Sequence, residues 1–468
     1  MALVSRAGGR RCPTLPLALS LLLLLPALVS ASIQPGWWRK ESPQEPEPRP
    51  SVPTTLDLPL LQELVADPAE NQAVSPFVMS SLMTQVCLGA GGTTRDEMMP
   101  ILGLEDPETG AELDYLSGYQ SAIEHLSSNT TNITVATFNG MYVRPGFSVR
   151  PSYRSTLRRV YGSDALPITS PEETAREINA AVAEVTRGKI AELVAANQLQ
   201  GADLVLVSAL YFKALWQHPF VTDDRPTPFL TAEGECRLTM MSLPDPTSLL
   251  YANLTQFEAV ALPYSEPEYS LLLLRPAERS MESVQTLLDM LDTLDMADIY
   301  SQMYEISMHV TMPKFKIETD YSLTEPLTAL GIQEIFSQGA DFSQMTDERG
   351  VFVSDIIHKV FIEVTEEGTE AAGAGAVFFT RSMPMNFIVD RPFVAVVYNR
   401  PLGLNLFSAY VASPESAADP APAARTRYSR PQLPKFLSQF PRRNAINTFD
   451  GSRIREFFSS SRLLGQRE

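Results

Sequence analysis

The residues best suited to acid–base chemistry near neutral pH are the four histidines of the chain: His125, His218, His309 and His358. A serine or cysteine nucleophile needs such a base within hydrogen-bond reach, and a metal centre needs ligands at a suitable spacing. The sequence contains no H-E-x-x-H, G-x-S-x-G, phosphate-loop or G-x-G-x-x-G motif, and no C-x-x-C pair. This pattern argues against an enzyme and predicts no bound metal or other cofactor for the body of the chain.

Residues 366–393, EEGTEAAGAGAVFFTRSMPMNFIVDRPF, have an unusual composition that indicates a different kind of chemistry. A run of very small residues, Ala371 to Ala376, leads to one basic residue, Arg381, which Ser382 follows. If the segment is extended, alternate residues from Thr369 to Phe379 form an uncharged face, and Glu370 carries the only charge of the other face. The segment can therefore be exposed at one time and packed as a strand at another, without burying a charge.

The pattern around this segment predicts one α+β domain. Ser75 and Pro76 form a helix-start signal before an apolar face that runs to Gly89, and Thr93 or Thr94 is predicted to cap the next helix. Residues 203–212, DLVLVSALYF, predict a central strand that is buried on both faces. Further helices are predicted near 56–66, 95–102, 112–127, 152–161, 171–186, 281–294 and 322–330, and further strands near 133–143, 236–242, 248–251, 257–263, 270–274, 305–317, 393–398 and 404–411. Residues 351–365 predict a helical start and a strand-like end.

Taken together, these segments resemble the serpin family. The resemblance covers most of residues 56–414, and its most specific part is the stretch Glu366–Ala374. The other matching segments follow in the family's order: Ser75-Pro76, Leu88-Gly89-Ala90, Gly188-Lys189-Ile190, Ala209–Trp216, Met312-Pro313-Lys314-Phe315, Leu330-Gly331-Ile332, Asp341-Phe342-Ser343, His358-Lys359 and Arg391-Pro392-Phe393. The chain departs from the family pattern at Ser208, where Asn is usual, at Ala214, where Gly is usual, and at residues 406–409; these departures concern local stability and not the fold.

The resemblance implies a serpin fold, with helices around a large central mixed β-sheet, smaller sheets, and an exposed reactive-centre loop at residues 366–390. It implies that a serine protease attacks this loop and forms an acyl-enzyme, after which residues 368–380 insert into the main sheet. The hinge for that movement is formed by Glu366, Glu367, Gly368, Thr369, Glu370, Ala371, Ala372, Gly373 and Ala374. His358 matches a position near the top of the main sheet, where insertion begins; its role is either purely structural or pH-sensing.

Counting residues from the two ends of the loop predicts cleaved bonds that differ by one residue. Counting back from Phe393 with the family's spacing gives Arg381, whereas counting forward from Gly368 gives Ser382. A trypsin-like specificity pocket carries an acid that pairs with arginine. We therefore expect cleavage between Arg381 and Ser382 and a covalent complex with a trypsin-like serine protease. The alternative is a non-inhibitory serpin that serves as a carrier, storage protein or chaperone, although such members tend to carry bulky or charged hinge residues.

Residues 1–31 predict a secretory signal peptide, because a basic start is followed by a short apolar run and small residues. Residues 32–53, rich in Pro and Glu, predict a disordered leader before the serpin domain at 54–414. Sequons at Asn129, Asn132 and Asn253 fit a secreted, extracellular glycoprotein. We expect a monomer without a membrane or nucleic-acid partner. Cys87 and Cys236 remain after signal removal and either pair with each other or stay free.

Charge is divided unevenly along the chain. The total of −18 becomes −21 without the three signal arginines, and the C-terminal extension at 415–468 has ten basic and five acidic residues, which gives +5. The rest of the mature chain is therefore −26. The extension is predicted to be disordered and solvated, or to bind a sulfated polysaccharide such as a glycosaminoglycan, a protease exosite or the acidic body itself.

Overall fold

A computed structural model describes residues 52–104, 112–127, 132–367 and 383–414. The signal peptide, nearly all of the leader, the loop from Gly368 to Ser382 and the C-terminal extension lie outside the described residues. Two β-sheets with helices packed around them make up the described part, as the α+β prediction requires. No helix in the described ranges is both long and apolar enough to cross a membrane.

The smaller sheet has five strands in the order β11–β12–β4–β2–β3. It is mixed, because β12 pairs with β4 and β2 pairs with β3 in parallel, whereas the other neighbours are antiparallel. Its strands are β2 (Ile133–Val143), β3 (Ala165–Pro167), β4 (Leu204–Ala214), β11 (Phe315–Ser322) and β12 (Val353–Val364).

The larger sheet has ten strands. Nine of them follow the order β1–β15–β14–β9–β8–β7–β10–β6–β5, and the tenth, β13, pairs in parallel with β10. Its strands are β1 (Gln72–Val74), β5 (Val221–Thr231), β6 (Gly234–Ser242), β7 (Thr247–Asn253), β8 (Phe257–Pro263), β9 (Tyr269–Pro276), β10 (Tyr304–Pro313), β13 (Met385–Ile388), β14 (Phe393–Asn399) and β15 (Leu404–Val411). The loop therefore joins the last strand of the small sheet to a short strand of the large sheet.

The helices are concentrated in the first half of the chain. They are α1 (Pro59–Leu64), α2 (Pro76–Gly89), α3 (Gly92–Ile101), α4 (Glu112–Ser127), α5 (Pro151–Thr156), α6 (Pro171–Val185), α7 (Ala196–Leu199), α8 (Met281–Asp289), α9 (Met296–Ser301) and α10 (Thr324–Ala329). Helix α2 begins as predicted: the backbone N–H of Val78 donates to Ser75 Oγ at 3.4 Å, and Pro76 takes the first helical position. Nearly all of α2 is buried, so it serves as the central core helix.

Strand β4 is buried on both faces, which confirms the prediction for residues 203–212. Its alternate residues belong to two separate apolar cores. Leu204, Leu206 and Leu210 pack into the main core with α2. Val205 and Val207 pack into a smaller core, which α6 and the segment after it cover. Strand β4 lies beside β12, at the centre of the five-stranded sheet.

Several predicted elements were wrong in detail. Residues 305–317 are two strands, because β10 ends at Pro313 and β11 begins at Phe315. Residues 353–364 form a strand throughout, with no helical start. Helix α3 begins at Gly92 after Gly91, without a side-chain cap, whereas the Thr94 hydroxyl accepts a hydrogen bond from Asp341 N. Of the two alternatives for Cys87 and Cys236, pairing with each other is excluded, because neither forms a disulfide bond.

Candidate functional site

The seam between β12 and β4 opens toward the loop. The two strands run parallel, and their register extends from Val353 opposite Leu204 to Phe361 opposite Tyr211. Both strands continue beyond this pair, to Val364 and Ala214, and each remains paired to its outer neighbour there. In the described register, β12 and β4 therefore part before the loop begins. A chain that turned back from β12 would meet unpaired strand edges on both sides.

A cluster of polar contacts holds the chain where it leaves β12. The Glu366 carboxylate accepts hydrogen bonds from the Lys314 ammonium at 3.0 Å and from the Thr222 hydroxyl, and its backbone carbonyl accepts from Phe220 N at 2.9 Å. Burial raises the pKa of Glu366, but the bonds from Thr222 and Lys314 outweigh burial and hold the pKa below its usual value. Glu366 is therefore a charged anchor at the base of the loop.

Trp216 fixes the backbone next to this anchor. Its indole N–H donates to the carbonyl of Thr365 at 2.8 Å, and its ring stacks on Tyr264 with centroids 4.5 Å apart. Phe220 packs edge-on against the same indole ring. The start of the loop is thus held by an aromatic platform on one side and by the Glu366 contacts on the other.

His358 lies opposite Ser208 of β4, three residues before Phe361, the last residue of β12 that pairs with β4. Its role in the opening of the sheet stays a prediction. The histidine is fully buried, and Nδ1 lies 2.7 Å from Ser208 Oγ. Its Nε2 accepts a hydrogen bond from the backbone N–H of Ser75 at 3.0 Å. Burial lowers the pKa of His358 to about 3, so the ring is neutral at pH 7. The histidine joins β12, β4 and the start of α2.

The Ser208–His358 pair is not a catalytic dyad. Because Nε2 accepts from Ser75, the ring proton is on Nδ1, which donates to the Ser208 hydroxyl. A base that activates serine must accept that proton instead. Ser208 in turn lies 3.5 Å from the sulfur of Met79, to which it can donate. The pair also has no access to solvent, so its role is structural. Within the described residues, no cluster of three or more metal-ligating side chains is present.

The opposite face of the seam is covered by the segment after α6. The Lys189 ammonium lies 3.0 Å from Glu363 of β12 and over the ring of Phe361. Lys359 of β12 donates to the backbone carbonyl of Glu192 at 3.1 Å and pairs with Glu318 of β11 at 3.2 Å. A strand that entered the seam would have to displace this covering segment as well as the contacts of Ser208 and His358.

The chain on the other side of the loop is anchored by a buried ion pair. Arg275 pairs with Glu258, donates to the carbonyl of Ile388 at 2.6 Å, and stacks over the ring of Phe387. Glu258 also accepts a hydrogen bond from the Tyr251 hydroxyl at 2.7 Å. Strand β13 is therefore held through its backbone and its one buried side chain. Both ends of the loop are fixed to separate sheets.

The structure places only some of the predicted site residues. Glu366, Glu367 and His358 are described; the rest of the hinge from Gly368, the bond Arg381–Ser382 and Asn129 are outside the described residues. Asn253 is exposed at the end of β7, and Asn132 is half-buried before β2, so glycosylation of either stays a prediction. Sequence reasoning missed the anchors Thr222, Glu258 and Arg275. They lie between 91 and 144 residues before Glu366 in the chain, and only the sheet pairing brings such distant residues together.

Comparison with known proteins agrees with this architecture. The family model described as Serpin (serine protease inhibitor) matches residues 53–414. Leukocyte elastase inhibitor A of Mus musculus is 32% identical over 78% of this chain and 99% of that protein, and Serpin B9 of Homo sapiens is 31% identical over 77% and 98%. The crystal structure of Serpin48, a highly specific serpin of the insect Tenebrio molitor, superposes with a TM-score of 0.66 at 28% identity, covering 77% of this chain and 97% of that chain. The chain belongs to the serpin family of serine protease inhibitors.

Proposed function

We propose that this protein is secreted and inhibits trypsin-like serine proteases, which cleave it between Arg381 and Ser382. The protease serine attacks the Arg381 carbonyl, the amine of Ser382 leaves, and the acyl-enzyme is trapped as residues 368–380 enter the five-stranded sheet between β12 and β4. In this proposal the mixed five-stranded sheet, and not the ten-stranded one, is the main sheet of the expected insertion. The observation that carries this proposal is the parting of β12 and β4 beside the base of the loop. Because these strands are parallel, a chain that folds back from β12 is antiparallel to both neighbours.

The dimensions and chemistry of the loop suit such an insertion. Strand β12 has 12 residues and β4 has 11, so a strand of similar length, such as residues 368–380, fits between them. An extended segment from Thr369 to Arg381 spans about 40 Å at roughly 3.3 Å per residue. If each new backbone hydrogen bond contributes ~1 kcal/mol, the inserted state gains on the order of 10 kcal/mol. That gain drives the movement of the bound protease.

Arginine at the cleavage position supports trypsin-like specificity. One of the two relatives is named for leukocyte elastase, and elastase has a small specificity pocket, which does not admit an arginine side chain. The acid at the base of a trypsin-like pocket pairs with the guanidinium. Sequence change at this one position is therefore enough to redirect the same trapping mechanism to a different protease class.

The experiment that tests the proposal is incubation of the secreted full-length protein with trypsin and, separately, with leukocyte elastase. We expect a complex with trypsin that survives SDS and none with elastase. A complex with elastase alone would overturn the assigned specificity. Cleavage by trypsin without any complex would instead favour the non-inhibitory carrier, storage or chaperone function. Secretion is tested separately, by N-terminal sequencing of protein from the culture medium, which should begin at Ser32.

A further inference from the structure

One edge of strand β10 is open at its start. On one side β10 pairs with β7 from Tyr304 to Met308, and on the other side it pairs in parallel with β13 from Met308 to Thr311. No described strand pairs with residues 304–307 on the β13 side. The stretch Tyr304-Glu305-Ile306-Ser307 is called the open β10 edge below. Its backbone N–H and C=O groups on that side can pair with another extended segment.

The chain that precedes β13 is directed along this edge. Strand β13 begins at Met385, opposite Met308, so the same register continues with Pro384 beside the end of the edge and Met383 opposite Ile306. Pro384 and Met383 belong to no strand in the structure, and 95% of the Met383 side chain is exposed. Ile306 is half-buried and packs against the main core. Residues opposite each other share a face, so pairing would place Met383 on Ile306 and remove apolar surface from water.

The proline next to β13 does not prevent this pairing. The backbone N–H of Val389 donates to the carbonyl of Thr311 at 2.8 Å, and in a parallel pair the N–H groups of every second residue point to the same neighbour. Steps of two residues from this bond align the N–H of Met383 with the carbonyl of Glu305. Pro384 lies between the donors, where its missing N–H would point away from β10. The backbone therefore allows β13 to lengthen along the open β10 edge.

Glu305 supplies a negative charge near the far end of the open β10 edge. Its side chain is exposed and forms no salt bridge with any residue that the structure describes. Leu250 of β7 lies opposite it, and Tyr304 and Ile306 flank it in the chain, so none of these neighbours offers a cation. The preceding helix α9 ends at Ser301, so the edge is only a few residues long. A short extended segment that ends in a positive charge would match the edge in both length and charge.

We propose that the open β10 edge binds the new chain end that forms when the protease cleaves the Arg381–Ser382 bond; this inference rests on the cleavage site of the proposed function. The protease serine oxygen bonds to the Arg381 carbonyl carbon and the C–N bond breaks. The amine of Ser382 takes one proton from the catalytic histidine of the protease and a second from water. The resulting ammonium lies opposite Glu305 when Ser382, Met383 and Pro384 lengthen β13 along β10.

Docking of the new chain end removes the leaving amine as a nucleophile. Only a neutral amine has the lone pair that can attack the acyl-enzyme and re-form the peptide bond. A free α-amine has a pKa of about 8, so part of it is neutral at pH 7.4. An ion pair with Glu305 favours the charged form. The docked end therefore makes cleavage harder to reverse while the hinge enters the sheet.

The test measures how fast an acetylating reagent modifies the α-amine of Ser382 in the trypsin complex of the full-length protein, by mass spectrometry of the C-terminal fragment. The fragment contains one lysine, Lys435, which serves as an internal reference. At pH 7 the amine in Glu305→Gln should react about threefold faster than in wild type, as expected for the loss of an exposed ion pair, and high salt should remove most of the difference. Met383→Ser should also speed the reaction, because docking loses its apolar contact. The matched control Glu233→Gln removes an exposed acid from the turn between β5 and β6 and should react like wild type.

The N-terminal sequence of the fragment separates a failure of this inference from a failure of the proposed function. A fragment that begins at Ser382 and reacts equally fast in wild type and Glu305→Gln would overturn the docking site alone. A fragment that begins elsewhere would overturn both, because no ammonium would then lie opposite Glu305. Pairing of two copies through the same edge would appear in size-exclusion chromatography as a dimer that Glu305→Gln disrupts. That result would assign the edge to a second copy and would also overturn the proposal.

Discussion

Nδ1 of His358 and the hydroxyl of Ser208 lie 2.7 Å apart and join the side chains of the two strands between which the loop is proposed to insert. Nε2 of the same histidine accepts a hydrogen bond from the backbone N–H of Ser75, the residue that caps α2. Any strand that enters the seam must break the first contact. The pair therefore links the stability of the native state to the opening of the sheet.

Stability should fall with acid because His358 is buried in its neutral form. Its pKa is about 3 in the folded protein, against an ordinary value of 6.5, so the unfolded chain takes up a proton that the folded protein does not. The contribution of neutral His358 to the free energy of unfolding is complete above pH 6.5 and is lost as the pH falls from 6.5 toward 3. At pH 5 this loss amounts to about 2 kcal/mol.

Urea unfolding at pH 7 and pH 5 measures this loss. In His358→Gln the pH-dependent difference should shrink by about 2 kcal/mol, because glutamine does not titrate. His309→Gln, a change of another strand histidine, should behave like wild type. An identical pH dependence in wild type and His358→Gln would contradict the assignment.

Weakening the anchor at Glu366 should shorten the life of the active state. Glu366→Gln keeps the shape of the side chain but removes the negative charge that Lys314 and Thr222 stabilise. The native state should lose about 1.5 kcal/mol of stability, so spontaneous insertion of the loop should be about tenfold faster. The measurement is the decay of trypsin-inhibiting capacity at 37 °C. Asp203→Asn breaks the ion pair with Arg144 at the other end of β4 and should leave the decay unchanged. Equal decay in all three proteins would refute the anchor.

A charge introduced into the hinge should prevent protease trapping only on the face that packs inside the sheet after insertion. Thr369→Arg places a charge on the face that packs inside the sheet and should turn the protein from an inhibitor into a substrate, since an unpaired buried charge is costly. Glu370→Arg changes the neighbouring residue on the opposite face, which already carries a charge, and should remain inhibitory. The ratio of complex to cleaved protein on SDS gels reports the outcome. Unchanged trapping by Thr369→Arg would show that insertion is not the mechanism.

The buried pair Arg275–Glu258 should be a strong determinant of stability on the other side of the loop. Both side chains are only about one-tenth exposed, at 10% and 11%. Arg275→Met leaves Glu258 unpaired and should cost about 3–5 kcal/mol, whereas Arg275→Met/Glu258→Leu should recover much of that loss. Thermal unfolding of the two variants provides the comparison. If the double variant is no more stable than Arg275→Met, the loss comes from packing against Phe387 and not from the charge.

Local signals predicted much of the fold. The Ser75–Pro76 start of α2 and the apolar run of β4 are local features with a direct physical cause, and both were confirmed. Strand β5 was missed because Pro226, Pro228 and two aspartates interrupt its pattern, and its register shifts between Asp223 and Thr227. An end strand tolerates such residues because one of its edges has no partner in the sheet.

The site was predictable only where it is contiguous in sequence. The hinge and Arg381 are consecutive in the chain, so composition and alternation could indicate them. The partners of Glu366 could not be identified in the same way, because Lys314 lies between β10 and β11, whereas Phe220 and Thr222 lie at the start of β5. The contacts of His358 were not predictable for a related reason. Its partner in the sheet depends on the register between β12 and β4, which includes a shift between Val353 and Asp355.

The central claim is that trypsin is trapped after cleavage at one bond. Trypsin should form an SDS-stable complex with the full-length protein and release a C-terminal fragment whose N-terminal sequence begins Ser382-Met383-Pro384, and Arg381→Ala should abolish both products. A fragment that begins at Met383 would place the cleaved bond after Ser382. Release of the fragment with no covalent complex, or unchanged inhibition by Arg381→Ala, would contradict the account.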